Sequence, residues 1–171
     1  MDTMVDKSPA SLLQEYKRAM QRCAKTVAVI AVGEKGSRHG FTATSYCSLS
    51  LSPPTIMICV DRQTRAYAGI VGNRRFSMNY LRPGDDFIAD TFAGKARTHG
   101  EERFDDALWE QSSLSVPVLR ESAASLICRV EEIIERVSHS VFIAEIIEVY
   151  LGSTRASLVY ANGGYKPLSC D

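Results

Sequence analysis

A chain of 171 residues with 45% hydrophobic and 23% charged residues has the balance of one soluble globular domain, and a domain of that size removes roughly 70% of its unfolded surface from water. Twenty Lys+Arg against twenty Asp+Glu leave no net basic field to draw in nucleic acid or an anionic membrane, so a small molecule or another protein is the expected partner. Five cysteines, Cys23, Cys47, Cys59, Cys128 and Cys170, form an odd set without a Cys-x-x-Cys pair and read as reduced thiols rather than a disulfide framework.

The N-terminus through Lys25 carries Asp2, Asp6, Lys7, Glu15, Lys17 and Arg18 without the apolar core of a signal peptide, which predicts a cytoplasmic protein. Ser8 before Pro9 caps and opens a helix on which Leu12, Leu13, Tyr16, Met20 and Cys23 share one face. This helical segment, at about 8–24, leads into a barrel at about 26–168 within a single domain of 1–171. Residues 26–32 are continuously apolar and rich in Val and Ile, and 33–40 form a polar, Gly-bearing connection to a strand starting at Phe41, the pattern of a β-hairpin.

From Gly40 to Pro54 small hydroxyl side chains crowd between apolar runs. Thr42, Thr44, Ser45, Ser48, Ser50 and Ser52 offer O–H donors, and the small Ala43 lets backbone N–H groups approach an anion, as a seat for a phosphate-bearing ligand requires. The alternation Cys47-Ser48-Leu49-Ser50-Leu51-Ser52 is equally what an edge strand with a hydroxyl-rich solvent face produces. Pro53-Pro54 stops this strand; 55–60 is a buried run ending in Asp61, and Thr64 caps a short helix through Ile70. A strand follows at 75–81, and Pro83-Gly84-Asp85-Asp86 begins a helix to about Phe92, its acids placed at the positive end of the helix dipole.

Residues 93–116 are more polar and less periodic and read as a long functional loop around short helical pieces. Two long strands, 123–134 and 140–150, flank a turn near Ser138-His139, and 156–160 is the last strand, before Asn162-Gly163-Gly164. Six or seven strands, many without the helix that a parallel crossover needs, predict a mainly β fold with short helices, a mostly antiparallel barrel. Runs such as Val141-Phe142-Ile143-Ala144 are apolar on both faces, so a helix or a second subunit must cover one of them, and a homodimer is expected.

Several chemistries find no support. Gly33, Gly36 and Gly40 lack the Gly-x-Gly-x-x-Gly spacing, and no P-loop or Gly-x-Ser-x-Gly elbow occurs. His39, His99 and His139 lack metal-ligand spacing, and no metal is expected. The acidic pairs Asp85-Asp86, Glu101-Glu102 and Asp105-Asp106 read as helix N-terminal charge and solvated surface. His139, between two apolar strands, is either a ligand contact at a barrel mouth or a turn histidine bonded to a neighbouring carbonyl.

Together Gly40-Phe-Thr-Ala-Thr-Ser-Tyr-Cys-Ser-Leu-Ser, Pro53-Pro54, Met57-Ile-Cys-Val-Asp61 and Phe76-Ser-Met-Asn79 make an ordered set that resembles the flavin reductase-like, split-barrel flavin-binding family. Phe92-Ala-Gly-Lys95, Glu102-Arg-Phe104, Trp109, Pro117-Val-Leu119, Ser138-His139 and Leu158-Val-Tyr160 continue the match in register over about 16–168. The nearest likeness is to small reductase components of two-component flavin-dependent monooxygenases, such as the 4-hydroxyphenylacetate system. The resemblance implies a dimeric split β-barrel that uses NADH or NADPH, with NADH favoured, to reduce FMN or FAD and supplies the reduced flavin to a partner oxygenase.

In proteins of this kind Thr42, Ala43, Thr44 and Ser45 would contact the ribityl chain or phosphate, and Ser48, Leu49 and Ser50 would run beside the ring system. Asp61 and Thr64 would close one side. Phe92, Ala93, Gly94 and Lys95 would hold the phosphate end, Phe104 would wall the site, and His139 would face the nicotinamide. No protein nucleophile is implied, because the cofactors themselves carry hydride transfer. Thr44 stands where the family often has Asn, Ser52 where Asp is frequent, and Val137-Ser138 where Gly-Asp often precedes the histidine. The change before His139 favours an alternative, a non-catalytic flavin-binding or flavin-sensing protein of the same fold.

Overall fold

The computed structural model describes residues 8–169; Cys170 and the charged residues before Ser8 lie outside them. In chain order the elements are α1 (Pro9–Arg22), β1 (Lys25–Thr26), β2 (Ala28–Val32), β3 (His39–Ala43), β4 (Tyr46–Leu51), β5 (Pro54–Asp61), α2 (Arg65–Asn73) and β6 (Arg75–Tyr80). Then come α3 (Asp86–Phe92), a 3-10 turn (Gly100–Arg103), β7 (Trp109–Gln111), β8 (Pro117–Leu119), β9 (Ala124–Arg136), β10 (His139–Leu151), β11 (Ser157–Ala161) and β12 (Gly164–Leu168).

Seven strands form one antiparallel sheet in the order β3-β2-β6-β9-β10-β5-β4. Ile30 of β2, Phe76 and Met78 of β6, Val130 of β9, Phe142 of β10 and Ile58 of β5 meet in one buried cluster with Ala66 and Ile70 of α2. Strands distant in the sheet share that core because the sheet curls on itself. The curl stops short of closure: β3 and β4 are consecutive in the chain and sit at opposite edges of the sheet order, with no ladder between them. The architecture is the expected antiparallel split barrel, open along one seam.

The uninterrupted apolar run near the N-terminus has a direct cause. Ala28, Ile30 and Val32 point into the curled sheet, while Val27, Val29 and Ala31 point outward into a second core with Ile88, Ala89 and Phe92 of α3, Phe104, Trp109 and Leu158. A strand buried on both faces has no polar side to display. The run is split into β1 and β2 at Val27, whose N–H donates to the Leu158 carbonyl at 2.9 Å and whose own carbonyl accepts from Leu81 N–H at 3.0 Å.

Three expectations are corrected. The chain does not finish its strands before Asn162: β12 pairs with β11 beyond the Asn162-Gly163 turn, and Pro167 is tolerated because β12 is an edge strand. The stretch 93–116 is not loop alone, since it contains β7, which pairs with β8 in a two-stranded ribbon. Glu101, Asp106 and Asp85 are not simply solvated charges: the first two hold Arg38, and Asp85, 5% exposed, accepts from the Arg82 N–H at 2.9 Å. The ribbon is tied to the sheet by Asn79, whose amide donates to Val29 O and Ser77 Oγ and accepts from Leu119 N–H and Ser125 Oγ. Every hydrogen-bonding function of that buried side chain is therefore used.

Ser8 caps α1, its Oγ accepting from Ser11 N–H at 3.3 Å. The apolar stripe of α1 stays uncovered in the isolated chain: Leu12, Leu13 and Tyr16 are each more than half exposed. Among the described residues no helix is long and apolar enough to cross a membrane.

Candidate functional site

A cleft of about 690 Å³ opens where three pieces converge: Gly40, Phe41 and Thr42 of β3, Thr64 with the first turn of α2, and the segment from Phe92 through Arg103 that follows α3. As an edge strand, β3 leaves one row of backbone groups without a ladder partner. Gly40 is required for the wall to be this close, because a Cβ there would lie 2.8 Å from the Ile30 carbonyl oxygen and 3.0 Å from the Phe92 ring. Gly94, at φ 78°, makes the turn out of α3 in a conformation only glycine adopts without cost.

The cleft is electropositive. Thr64 caps α2 through its Oγ, which accepts from Tyr67 N–H at 3.2 Å and donates to Asp61 O at 2.8 Å, and the positive end of the helix dipole falls on the wall formed by Arg65 and Ala66. Arg65 and Arg103 have no carboxylate partner among the described residues, and the Arg103 guanidinium lies 4.9 Å from the centre of the Phe92 ring. His39, just before Gly40, is held below its ordinary pKa first by burial and then by the charges of Arg65 and Arg103. Its Nδ1 is buried without a hydrogen-bond partner. Two unpaired guanidiniums, a helix N-terminus and an aromatic ring make a cleft suited to an anionic group attached to a flat apolar one.

Of the expected site residues, the structure brings Thr42, Thr64, Phe92, Ala93 and Gly94 together on this wall. Thr42 has its hydroxyl engaged, donating to the Ala89 carbonyl at 2.6 Å. Phe104 is buried behind the wall in an edge-to-face cluster with Phe92 and Trp109, at ring separations of 4.9 and 5.0 Å. Lys95 lies outside the cleft lining, its Nζ paired with Asp90 at 2.7 Å and 5.3 Å from the Tyr165 ring centre. Ala43 ends β3, Thr44 and Ser45 make the link to β4, and Ser48, Leu49 and Ser50 sit on edge strand β4, where Leu49 is the extra residue of a register shift.

Asp61 and His139 face each other across the β5–β10 ladder. Asp61 caps the next turn by accepting from Gln63 N–H, and Arg62 N–H donates to Ser138 O at 3.1 Å, so the His139 turn is fastened to the segment leading into Thr64. Of the two readings of His139, the side chain is exposed and its Nδ1 meets Ser138 Oγ at 2.9 Å rather than a carbonyl. Val137, with φ 34° and 99% exposed, occupies the left-handed region that a glycine would enter without strain.

The strongest charges of the cleft, Arg65 and Arg103, carry only faint signals in the sequence. Arg65 follows the capping Thr64 directly, and Arg103 lies between two matched residues, Glu102 and Phe104. His99 and Gly100, also on the wall, come together with them only through the folding of a non-periodic loop.

Residues 20–169 match the family described as flavin reductase like domain. The chain is 33% identical over 161 residues to the FMN reductase (NADH) RutF 2 of Rhizobium rhizogenes strain K84, covering 94% of this chain and 92% of that protein. Among solved structures it superposes on the Streptomyces globisporus NADH:FAD oxidoreductase SgcE6, in complex with NAD and FAD fragments, with a TM-score of 0.83 and 26% identity over 96% of each chain. The fold also matches BorF, the flavin reductase component of a bacterial two-component tryptophan halogenase, with a TM-score of 0.85 and 24% identity over 93% of this chain and 99% of that one. A cleft walled by Phe41 and Phe92 with the cationic Arg65 and Arg103, and a family match spanning nearly all of the chain, lead to one conclusion: the protein belongs to the flavin reductase-like family.

Proposed function

We propose that this chain, an NAD(P)H-dependent flavin reductase, takes NADH as donor and FMN as acceptor and passes the reduced flavin to a flavin-dependent oxygenase. The observation that carries the reading is the pair of guanidiniums without a carboxylate partner among the described residues, Arg65 and Arg103, on one cleft with the N-terminus of α2. The donor set fits FMN: a terminal phosphate matches two cations and a helix N-terminus, and the flat ring matches apolar walls with small hydroxyls. The name of the relative from Rhizobium rhizogenes supports FMN and NADH.

In this reading Arg65, Arg103, Ala93 and Gly94 hold the phosphate end, with Lys95 and Asp90 bracing the turn beside them. Thr42, Ala43, Thr44 and Ser45 line the ribityl chain; Ser48, Leu49 and Ser50 border the ring; and Asp61 and Thr64 close one side. Phe92, backed by Phe104, excludes water from the wall. When bound, the flavin supplies the hydride-accepting chemistry, and the protein's part is positioning and dry walls. His139 stands ready for the nicotinamide side.

Mixing the purified protein with FMN and NADH and following absorbance at 340 nm tests the reading. NADH oxidation that depends on added FMN is expected, and His139→Ala is expected to raise KM for NADH while leaving FMN affinity unchanged. Absence of flavin-dependent oxidation would defeat the enzyme reading, and a change confined to FMN affinity would move His139 away from the nicotinamide.

The exposed Leu12, Leu13 and Tyr16 of α1, together with Leu49 and Leu51 on β4 and Val149, Tyr150 and Leu151 on β10, support a homodimer that buries them. Sedimentation equilibrium at micromolar concentration is expected to return twice the chain mass, and a pure monomer would contradict it. The reading places the reaction in the cytoplasm, in keeping with the unpaired Cys23, Cys47, Cys59 and Cys128.

A further inference from the structure

Arg38 is a charged side chain buried to 3% exposure in the β2–β3 connection, and it is absent from the cleft lining. Burial of a lone guanidinium would be costly without partners. Here the partners all come from one distant segment. The Arg38 N–H donates to Glu101 Oε2 at 2.7 Å, its Nε donates to Glu101 Oε1 at 2.6 Å, and Nη2 lies 2.5 Å from the same carboxylate oxygen. Nη2 also donates to the Phe104 carbonyl at 3.1 Å and meets Asp106 Oδ1 at 3.3 Å, and the guanidinium carbon lies 5.1 Å from the Phe104 ring centre.

Glu101 and Phe104 flank Arg103 on either side in sequence. A single planar fork therefore grips the 3-10 turn on both sides of Arg103 and leaves that guanidinium directed over Phe92, on the cleft. We propose that Arg38 is a positioning residue for phosphate recognition, holding the turn so that Arg103 stays poised for the anion. The proposal rests on the reading that Arg103 binds the FMN phosphate. Lys cannot substitute, because its single ammonium lacks the Nε and Nη donors that engage the carboxylate and the carbonyl together.

Riboflavin shares the ring and ribityl chain of FMN but not the phosphate, so the ratio of riboflavin to FMN dissociation constants isolates phosphate recognition from general damage to the fold. Fluorescence titration of both flavins into the full chain and its Arg38→Lys, Glu101→Ala and Arg103→Ala variants is the test; Glu101→Ala opens the clamp from its other side should Arg38→Lys fail to fold. The expected result is that each clamp variant lowers the ratio about tenfold with riboflavin affinity unchanged, and that adding either to Arg103→Ala lowers it no further. A ratio unchanged in both clamp variants but reduced in Arg103→Ala would overturn the positioning role and leave phosphate binding by Arg103 standing. Equal weakening toward both flavins would show that the clamp serves only the fold and would also overturn it. An unchanged ratio in Arg103→Ala itself would remove the phosphate reading and the proposal together.

Discussion

Replacing Arg65 or Arg103 by Ala is expected to weaken FMN binding by about tenfold to a hundredfold in each case, the consequence of removing one charge-assisted hydrogen bond from a partly enclosed site. The double variant is expected to lose more than either single variant, while riboflavin affinity stays near that of the parent. The asymmetry follows from the position of the two side chains: neither has a carboxylate partner among the described residues, and Arg103 spends only its Nε, on the Gly100 carbonyl at 3.4 Å, so the Nη donors of both are left for the ligand. Lys95 offers a contrast on the same segment. Its ammonium is already paired with Asp90, and Lys95→Ala is expected to have the smaller effect. Isothermal titration with FMN and riboflavin checks all of these, and parallel losses for both flavins would contradict the assignment of the phosphate end.

The second large effect is on stability. Trp109 is 1% exposed and touches both Phe92 and Phe104 in edge-to-face geometry, at ring separations of 5.3 and 5.0 Å. Trp109→Ala is expected to cost about 3–5 kcal/mol, the sum of lost transfer energy and the cavity left behind. In a chain of this length that corresponds to a fall in Tm of roughly 6–20 °C. Because Phe92 is both a neighbour of Trp109 and a wall of the cleft, FMN affinity is expected to fall as well, even below the melting transition. Denaturant unfolding with matched FMN titrations measures both, and a loss under 1 kcal/mol would show that the aromatic cluster repacks without it.

The sheet was legible because burial leaves a direct trace in side-chain choice. The run at Val27–Val32 is apolar at every position since both of its faces meet a core, and the long apolar-rich runs that became β9 and β10 put Val130, Phe142 and Ala144 into that core. The capping residues Ser8 and Thr64 marked two helix starts for the simple reason that their hydroxyls satisfy free N–H groups. β12 left no such trace, because an edge strand with Lys166 and Pro167 has little apolar alternation to show.

The site was legible only in part. Thr42, Thr64 and Phe92 through Gly94 lie on three separate segments that the resemblance put in order and the fold brought to one wall. Arg65 and Arg103 were harder to see, since an exposed helix-start arginine and a loop arginine look like ordinary surface charge until the fold sets them on one cleft with no carboxylate partner among the described residues. Arg38 is harder still: in sequence it is one basic residue in a polar turn, and only the fold shows that its partners lie more than 60 positions away.

A crystal structure of the FMN complex tests the central claim most directly. The account predicts the phosphate within about 3 Å of donors on both Arg65 and Arg103, at the N-terminus of α2, with the ring extending along the β3–β4 link. Phosphate density lying elsewhere, with both guanidiniums left in solvent, would contradict it.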